Sequence, residues 1–275
     1  MSHSAADPKR RLVVYAVSGP VLYEKMVVNS VRSLRAFNDS IPVCCVVFSS
    51  DRADAGDLLS SAPGLEVVAA PPLAGGAGGA FFAKWHALEY VPDVDEVLFL
   101  DADTVLFDDV ERFFEQDADF VAREETRCGR GGDVVDWAAM DRIGRASGYD
   151  IWPVFNTGVM LFRSGFHREV AAMLDRFVSV ALNFVTKPAE YPCSNTHISE
   201  EVCAAIVLGA SGARRSAFYD AREVMFRSEF AMVPIGSAPS APLLHTFTGY
   251  YWECIGRICA ERLLPAGTLA QLITS

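Results

Sequence analysis

The chain has 275 residues, of which 51% are hydrophobic and 21% are charged, so it can bury a sizeable core and differs in composition from disordered proteins. Its formal net charge of −11 disfavours binding to nucleic acid or to anionic membranes, because both require basic surface. An enzyme that gathers carboxylates around a divalent cation is compatible with this charge, and so is acidity that serves only solubility.

The sequence predicts no transmembrane segment and no disulfide framework. No stretch approaches the roughly 20 apolar residues of a spanning helix. The apolar run at residues 12–17 is too short for the core of a signal peptide. The seven cysteines form no C-x-x-C pair that would indicate zinc, and their number is odd. We therefore expect a cytoplasmic protein with reduced thiols.

The first half of the chain predicts alternating strands and helices. Short apolar runs predict buried strands at 12–17, 42–48, 65–69 and 96–100. Helical spacing of apolar residues predicts helices at 22–37 and 82–90, with a short one at 53–60. This order predicts an α/β fold with a mostly parallel central sheet and helices on both faces.

The second half is less regular. We predict a helical turn at 108–116, a strand at 119–122, an irregular segment at 123–153 and a turn at 156–158 before a strand at 159–162. Helices are predicted at 168–184, 200–208 and 251–264, loops at 71–79, 188–199 and 234–242, and a short strand at 243–245. No linker separates two units, so we expect a single domain over residues 1–275.

Two aspartates follow the strand predicted at 96–100. Asp101 and Asp103 lie at its carboxyl end, where ligands bind in open α/β sheets. Residues two apart on an extended chain face the same side, and two neighbouring carboxylates stay ionised only with a cation between them. Oxygen ligands suit Mg²⁺ or Mn²⁺, and the small Ala102 lets the backbone approach a ligand. A D-x-D pair alone is also compatible with a polar turn, although apolar runs on both sides disfavour that reading.

The same pair allows a magnesium-dependent phosphohydrolase. Residues 101–105 resemble the D-x-D-x-T motif of the haloacid dehalogenase superfamily, with the threonine one place early, and residues 132–136 faintly resemble its later acidic motif. In that superfamily the first motif opens the domain, whereas here it lies about a third of the way along the chain. We therefore rank this alternative second.

Three segments together resemble glycosyltransferases of the GT-A fold, most closely family 8, the relatives of glycogenin and of galactosyltransferases. The segments are residues 84–88 (KWHAL) with 97–106 (VLFLDADTVL), residues 155–162 (FNTGVMLF) and residues 244–249 (LHTFTG). They come in the family's order and span most of the chain. The resemblance implies a Rossmann-like nucleotide-diphospho-sugar transferase fold, with a nucleotide-binding half at 1–122 and an acceptor-binding half at 123–275.

The resemblance implies a metal-dependent glycosyltransferase of the hexosyltransferase type. It would move a sugar from a nucleotide sugar, expected to be a UDP-sugar, to an acceptor hydroxyl with retention at the anomeric carbon. The implied metal ligands are Asp101, Asp103 and His245, and this mixed oxygen and nitrogen set fits Mn²⁺ better than Mg²⁺. The simpler interpretation of His245 is a packed histidine at a strand end. The acceptor can be a glycan, a small molecule or a protein.

The resemblance also implies further site residues. The implied catalytic residues are Asp101, Asp103, Asn156 and Glu200. The implied donor-binding residues are Val17, Ser18, Asp51, Lys84, Asp101, Ala102, Asp103, Thr157, Gly158 and Gly249. Several have a structural alternative: a helix N-cap for Asp51, a surface lysine for Lys84, a plain turn for residues 156–158, and a helix-end carboxylate for Glu200.

The sequence departs from the family pattern at two places. Ser199-Glu200-Glu201-Val202 stands where many members carry Asp-Gln, and the stretch after Gly249 lacks the lysine of a G-x-x-K-P-W pattern that grips the diphosphate. The candidate replacements for that lysine are Arg123, Arg127, Arg130 and Lys84. These departures allow a third interpretation, a nucleotide- or sugar-binding relative without turnover.

Overall fold

The computed structural model describes residues 9–48, 56–73, 82–124, 135–147, 152–174, 199–209 and 215–274. The predictions for Asp51, Arg127 and Arg130, for most of the loop at 188–199, and for the end of the helix at 168–184 lie outside these ranges.

The strands form one large and one small sheet. They are β1 (Arg11–Ser18), β2 (Val43–Phe48), β3 (Leu65–Ala70), β4 (Glu96–Leu100), β5 (Thr104–Leu106), β6 (Phe120–Glu124), β7 (Phe155–Phe162), β8 (Ser216–Tyr219), β9 (Val224–Phe226) and β10 (Leu243–His245). The large sheet has the order β3-β2-β1-β4-β7-β6-β8. Its strand β7 is antiparallel to both neighbours and its other pairings are parallel, which confirms the mostly parallel sheet.

Helices pack on both faces of the large sheet. The helices of the described residues are α1 (Val21–Arg35), α2 (Ala83–Ala87), α3 (Trp137–Ser147), α4 (Phe166–Ala171), α5 (Ser199–Gly209), α6 (Arg227–Phe230), α7 (Tyr251–Glu261) and α8 (Ala266–Leu269). Residues of α6 and α7 pack instead with the small sheet. Alternate residues of β1 point to opposite faces. Val13 packs with Val27 of α1 in one buried cluster, and Val14 packs with Trp85 of α2 and Val207 of α5 in another. The α/β fold class is therefore confirmed.

The small sheet continues directly from the loop that carries the two aspartates. Its order is β5-β10-β9, with β10 antiparallel to β5 and parallel to β9. The register sets His245 opposite Thr104 on one side and opposite Phe226 on the other. The sequence predicted only β10 of this sheet, because β5 and β9 are each three residues long and carry no readable period.

Three predicted elements differ from the structure. The turn predicted at 156–158 is part of the fully buried strand β7, where Asn156 pairs with Arg123 of β6 and the carbonyl of Gly158 accepts from the N–H of Asp101. The segment predicted as irregular at 123–153 contains helix α3. The helix predicted at 53–60 is a 3₁₀ turn, Leu58–Ser61, within the residues described.

The described part of the chain contains no helix that is both long enough and apolar enough to cross a membrane. Five described cysteines carry free thiols, namely Cys44, Cys45, Cys203, Cys254 and Cys259.

Glu96 is a buried carboxylate at the start of β4, and only 1% of it is exposed. It accepts hydrogen bonds from Lys9 Nζ at 2.8 Å, from Arg11 Nε at 2.9 Å and from Arg163 Nε at 2.8 Å. Burial works to raise the pKa of Glu96, but its three cationic partners outweigh burial and hold the pKa below its usual range. This carboxylate therefore joins the amino ends of β1 and β4 to the end of β7.

We expect Glu96→Gln to lower the free energy of unfolding by about 1–3 kcal/mol at neutral pH, because it leaves Arg163, whose side chain is 14% exposed, without its carboxylate partner. The pKa of Glu96 is lower in the folded than in the unfolded chain. Its stabilising contribution is therefore present above the unfolded value of about 4.3 and is lost as the pH falls through the lowered folded value.

Urea unfolding of wild type and Glu96→Gln measures this difference, which should narrow between about pH 7 and about pH 3. Glu253→Gln is the matched control, since it removes a carboxylate whose side chain is 66% exposed and paired with Arg227 at 3.2 Å. We expect that control to change the free energy of unfolding by less than about 1 kcal/mol. If the difference in free energy of unfolding between wild type and Glu96→Gln does not change with pH, the inference that the fold lowers the pKa of Glu96 is wrong.

Candidate active site

The backbone around the two aspartates is held from three sides. The N–H of Asp101 donates to the carbonyl of Gly158 in β7 at 2.7 Å. The hydroxyl of Thr104 donates to the carbonyl of Asp101 at 2.9 Å. The carbonyl of Asp103 accepts from the N–H of Thr246 at 3.1 Å and from its hydroxyl at 3.0 Å. Both aspartates therefore have fixed backbone positions where the two sheets meet.

Strand β10 brings His245 to the aspartates. Its Nε2 lies 3.2 Å from Asp103 Oδ1 and 3.8 Å from Asp101 Oδ2. One ligand atom from each of the three residues lies within 4.8 Å of the other two. Two carboxylates and an imidazole form a donor set that suits Mn²⁺ or Mg²⁺. The structure thus brings together the three residues predicted as metal ligands, and their donor set fits a divalent cation.

Opposite charges outweigh burial in setting the pKa values of Asp103 and His245. Burial works to raise the pKa of Asp103, but the charges of His245 and Lys84 outweigh burial and lower it. Burial works to lower the pKa of His245, but Asp103 and Asp101 outweigh burial and raise it. The two carboxylates therefore favour the protonated form of the His245 ring. A histidine must lose that proton to bind a metal, so proton and cation compete for this site.

Gly158 leaves the space that the His245 ring occupies. A Cβ atom at residue 158 would lie 2.7 Å from Nδ1 and 2.8 Å from Nε2 of His245, and would also clash with Cε1. Heavy atoms in van der Waals contact are about 3.5 Å or more apart. Residue 158 must therefore be glycine, because a side chain there would clash with the His245 ring.

Lys84 of α2 joins the aspartates to a second acidic group. Its Nζ lies 3.0 Å from Asp101 Oδ1 and 3.4 Å from Glu200 Oε2, and it donates to the hydroxyl of Thr157 at 3.0 Å. Burial works to lower the pKa of Lys84, but the two carboxylates outweigh burial and raise it. The alternative of a snorkelling surface lysine is wrong, since the side chain is only 12% exposed.

Glu200 lies in the first turn of α5 and faces the site. Its carboxylate accepts from Trp85 Nε1 at 2.5 Å and from the hydroxyl of Thr157 at 3.0 Å. Burial is the main cause that raises the pKa of Glu200. The neighbouring Glu201 accepts from Asn156 Nδ2 at 3.0 Å. Glu200 is thus a buried group beside Lys84, unlike the solvated helix-end carboxylate of the structural alternative.

The remaining donor residues that the structure describes lie around the same edge. Val17 and Ser18 end β1, which is parallel to and paired with β4, so their strand ends face the same way as Asp101. Ala102 is partly buried between the aspartates. Gly249 is in an exposed 3₁₀ turn, Thr248–Tyr250, whose Thr248 hydroxyl donates to Asp103 Oδ2 at 3.2 Å.

Sequence reasoning missed an aromatic pair beside His245. The ring of Phe247 lies 4.6 Å from that of His245, and the ring of Phe226 lies 6.1 Å from it. Phe247 also has a φ of +61°, which is uncommon for a residue other than glycine. Phe247 lies in the family segment at 244–249, but nothing in the sequence indicates contact between its ring and His245. Trp85 lies in the family segment at 84–88, and the sequence indicates no role for it.

Arg123 was one candidate to replace the family lysine. Its guanidinium donates to Glu229 Oε1 at 2.8 Å and to the Tyr219 carbonyl at 3.3 Å, and it lies over the Phe226 ring, 5.0 Å from the ring centroid. These partners hold Arg123 within the protein. Lys84 is the described candidate that directly contacts Asp101.

We expect Gly158→Ala to displace the His245 ring and to weaken Mn²⁺ binding by about tenfold or more, the loss typical when the orientation of a ligand is disturbed. Crowding should also lower the free energy of unfolding by about 1–3 kcal/mol. Gly256→Ala is the matched control, because a Cβ there meets nothing within 4 Å. Calorimetric titration with Mn²⁺ compares the two variants. Equal Mn²⁺ affinities would contradict the prediction that the space at Gly158 keeps the His245 ring in place for the metal.

Comparison with known proteins agrees with this geometry. The model of glycosyl transferase family 8 matches residues 23–174, which is more than half of the chain. The matched segment includes the two aspartates and β7, and it ends before Glu200 and His245. No curated protein matches the chain.

Solved structures of three glycosyltransferases are similar in fold. Galactosyltransferase LgtC, solved with donor and acceptor sugar analogues, is 16% identical with a TM-score of 0.59, over 96% of this chain and 97% of LgtC. The bifunctional glycosyltransferase WbbM is 12% identical with a TM-score of 0.56, over 99% of this chain and 53% of WbbM. GlyE of Streptococcus pneumoniae TIGR4 is 15% identical with a TM-score of 0.53, over 95% of this chain and 63% of GlyE. At these identities the likeness shows the fold alone.

The fold of these neighbours confirms the predicted GT-A architecture, and the family match ranks glycosyl transfer above phosphoester hydrolysis. The chain belongs to glycosyltransferase family 8 and is a glycosyltransferase.

Proposed function

We propose that the chain transfers a hexosyl group from a UDP-sugar to an acceptor hydroxyl, with retention at the anomeric carbon, and that Asp101, Asp103 and His245 hold a divalent cation, Mn²⁺ or Mg²⁺. The observation that carries the proposal is the approach of these three side chains where the carboxyl ends of β4 and β10 meet. UDP as the nucleotide and retention as the outcome rest on the family.

The cation would supply positive charge to the leaving nucleoside diphosphate. Lys84 is the second positive group of the proposed site. It lies between Asp101 and Glu200, which hold its Nζ in place. A lysine fixed in this way can donate to a phosphate oxygen without a large loss of side-chain entropy, since its chain is already ordered. We assign to it the role of the absent family lysine.

The donor would lie along the edge formed by β1 and β4. Val17 and Ser18 are proposed to contact the base and ribose, because their strand ends beside that of Asp101. Ala102, Thr157 and Gly158 would line the path of the diphosphate and sugar. Gly249 would adjoin the diphosphate from the opposite side, since its neighbour Thr248 contacts Asp103. Asp51 is proposed to hydrogen-bond the ribose or base.

Asn156 and Glu200 are proposed to act on the transferred sugar. Trp85 and Thr157 each donate to the Glu200 carboxylate, which fixes its direction. A fixed, buried carboxylate can accept a hydrogen bond from a sugar hydroxyl strongly, because water competes little. The Asn156 amide is oriented by Glu201 and by the N–H of Gly158, which donates to its Oδ1 at 3.0 Å. The acceptor is proposed to bind through the second half of the chain, residues 123–275.

We expect Asp103→Ala to abolish Mn²⁺-dependent binding of UDP, because it removes one of three ligands and the charge partner of His245. Asp117→Ala is the matched control. Asp117 precedes β6, at the sheet edge opposite the aspartates, and its side chain is 88% exposed. Isothermal titration with UDP, with and without Mn²⁺, should show binding in wild type and in Asp117→Ala only.

A thermal-shift screen of nucleoside diphosphates and nucleotide sugars identifies the donor, since a ligand that binds only the folded state raises the Tm. Hydrolysis or transfer of the donor sugar in Mn²⁺ then tests turnover. UDP binding that needs neither Mn²⁺ nor Asp103 would contradict the proposed site. Phosphate release from a generic phosphoester without UDP binding would contradict the proposed reaction, as would saturable UDP binding without turnover across a donor panel.

A further inference from the structure

A row of three buried hydroxyl groups lies behind the aspartates. Tyr15 of β1, Ser30 of α1 and Thr104 of β5 are all fully buried. The Tyr15 hydroxyl lies 2.8 Å from Ser30 Oγ, and Ser30 Oγ lies 2.8 Å from Thr104 Oγ1. Thr104 Oγ1 then donates to the carbonyl of Asp101 at 2.9 Å. The row thus runs from the large sheet to the backbone of a candidate metal ligand.

The chemistry of these groups fixes the direction of the hydrogen bonds. A carbonyl oxygen only accepts, so Thr104 uses its single hydrogen on Asp101. Ser30 must therefore donate to Thr104, and Tyr15 must donate to Ser30. Burial raises the pKa of Tyr15, so the phenol keeps the proton that the row requires. Hydrogen bonds aligned in one direction polarise one another, which strengthens the last one, at Asp101.

Helix α1 also holds β5 by a second polar contact. Ser33 Oγ accepts from the N–H of Leu106 at 2.9 Å and donates to the carbonyl of Ser30 at 2.7 Å. Since α1 packs on the large sheet and β5 belongs to the small one, these contacts fix the position of one sheet against the other. The loop with Asp101 and Asp103 spans that junction, so a shift of β5 would change the separation of the two carboxylates.

We propose that Tyr15, Ser30 and Thr104 are positioning residues for the metal site, because their hydroxyl row holds the Asp101 carbonyl and so sets the relative direction of the Asp101 and Asp103 side chains. The proposal rests on the proposed function, since this geometry matters to catalysis when the two carboxylates share a cation. The three residues act through the backbone of Asp101.

Thr104→Val removes the hydroxyl and keeps the shape of the side chain, whereas Thr104→Ser keeps the hydroxyl. We expect Thr104→Val to weaken Mn²⁺ binding by about tenfold, the loss typical when a group that orients a metal ligand is removed. The Mn²⁺ affinity of Thr104→Ser should lie within about twofold of that of wild type. The electron paramagnetic resonance signal of free Mn²⁺, titrated without nucleotide, measures both affinities.

Tyr15→Phe tests the far end of the row, and we expect a smaller loss of Mn²⁺ affinity because the bond from Ser30 to Thr104 remains. Tyr219→Phe is the matched control, since Tyr219 is equally buried and its hydroxyl donates to the carbonyl of Phe113 at 3.1 Å, apart from this row. The control should change the Tm and leave Mn²⁺ affinity unchanged. A lower Tm for Thr104→Val with wild-type Mn²⁺ affinity would show a merely structural role and overturn the proposal.

Amide hydrogen exchange separates a failure of this proposal from a failure of the proposed function. The N–H groups of Asp101 and Thr246 are bonded across the loop, to Gly158 and to Asp103. We expect both to exchange faster in Thr104→Val, with exchange in β2 unchanged. If wild type binds neither Mn²⁺ nor Mg²⁺, the proposed metal site fails, and this exchange result alone decides whether the hydroxyl row positions the backbone of Asp101. Unchanged amide exchange at Asp101 and Thr246 in Thr104→Val would overturn the proposed positioning role.

Discussion

The carboxylates of Asp101 and Asp103 lie close together in a largely buried site, and like charges at this range repel each other. The fold meets this constraint by placing two basic side chains from distant parts of the chain on either side. His245 approaches from β10 and Lys84 from α2. Each is held by packing or by a further carboxylate, so neither can move away to relax the charge. A divalent cation is the remaining partner that this arrangement suits.

The junction of the two sheets explains why so much of the structure converges on one loop. Asp101 ends a strand of the large sheet, and Thr104 begins a strand of the small one. The polar groups of the loop are bonded to β7, to β5 and to the residue after β10. Both sheets therefore fix the geometry of a ligand site at this junction, because neither sheet can shift without breaking these bonds.

Local sequence pattern predicted the strand before Asp101 well, since four buried apolar residues in a row, 97–100, are a signal that the chain carries locally. The position of His245 followed from family resemblance alone, because pairing of β5 with β10 joins segments far apart in the chain. The contact of Trp85 with Glu200 was missed for the same reason. The contact of Phe247 with His245 was missed because it accompanies a positive φ at Phe247, which the sequence does not indicate. The turn preference of Asn156-Thr157-Gly158 was misleading, because the contacts that hold these residues in β7 join segments far apart in the chain. Asn156 pairs with Arg123 of β6, and the Gly158 carbonyl accepts from the N–H of Asp101.

Because of the contact between Gly158 and His245, a substitution at one position limits which residues the other position can accept during evolution. A lineage that keeps the imidazole has no freedom at residue 158, whereas one that replaces the imidazole by a smaller side chain gains room there for alanine or serine. The two sites should therefore change together among related sequences. The residue type at position 158 would then report, from a partial sequence that ends before β10, whether the imidazole has been retained.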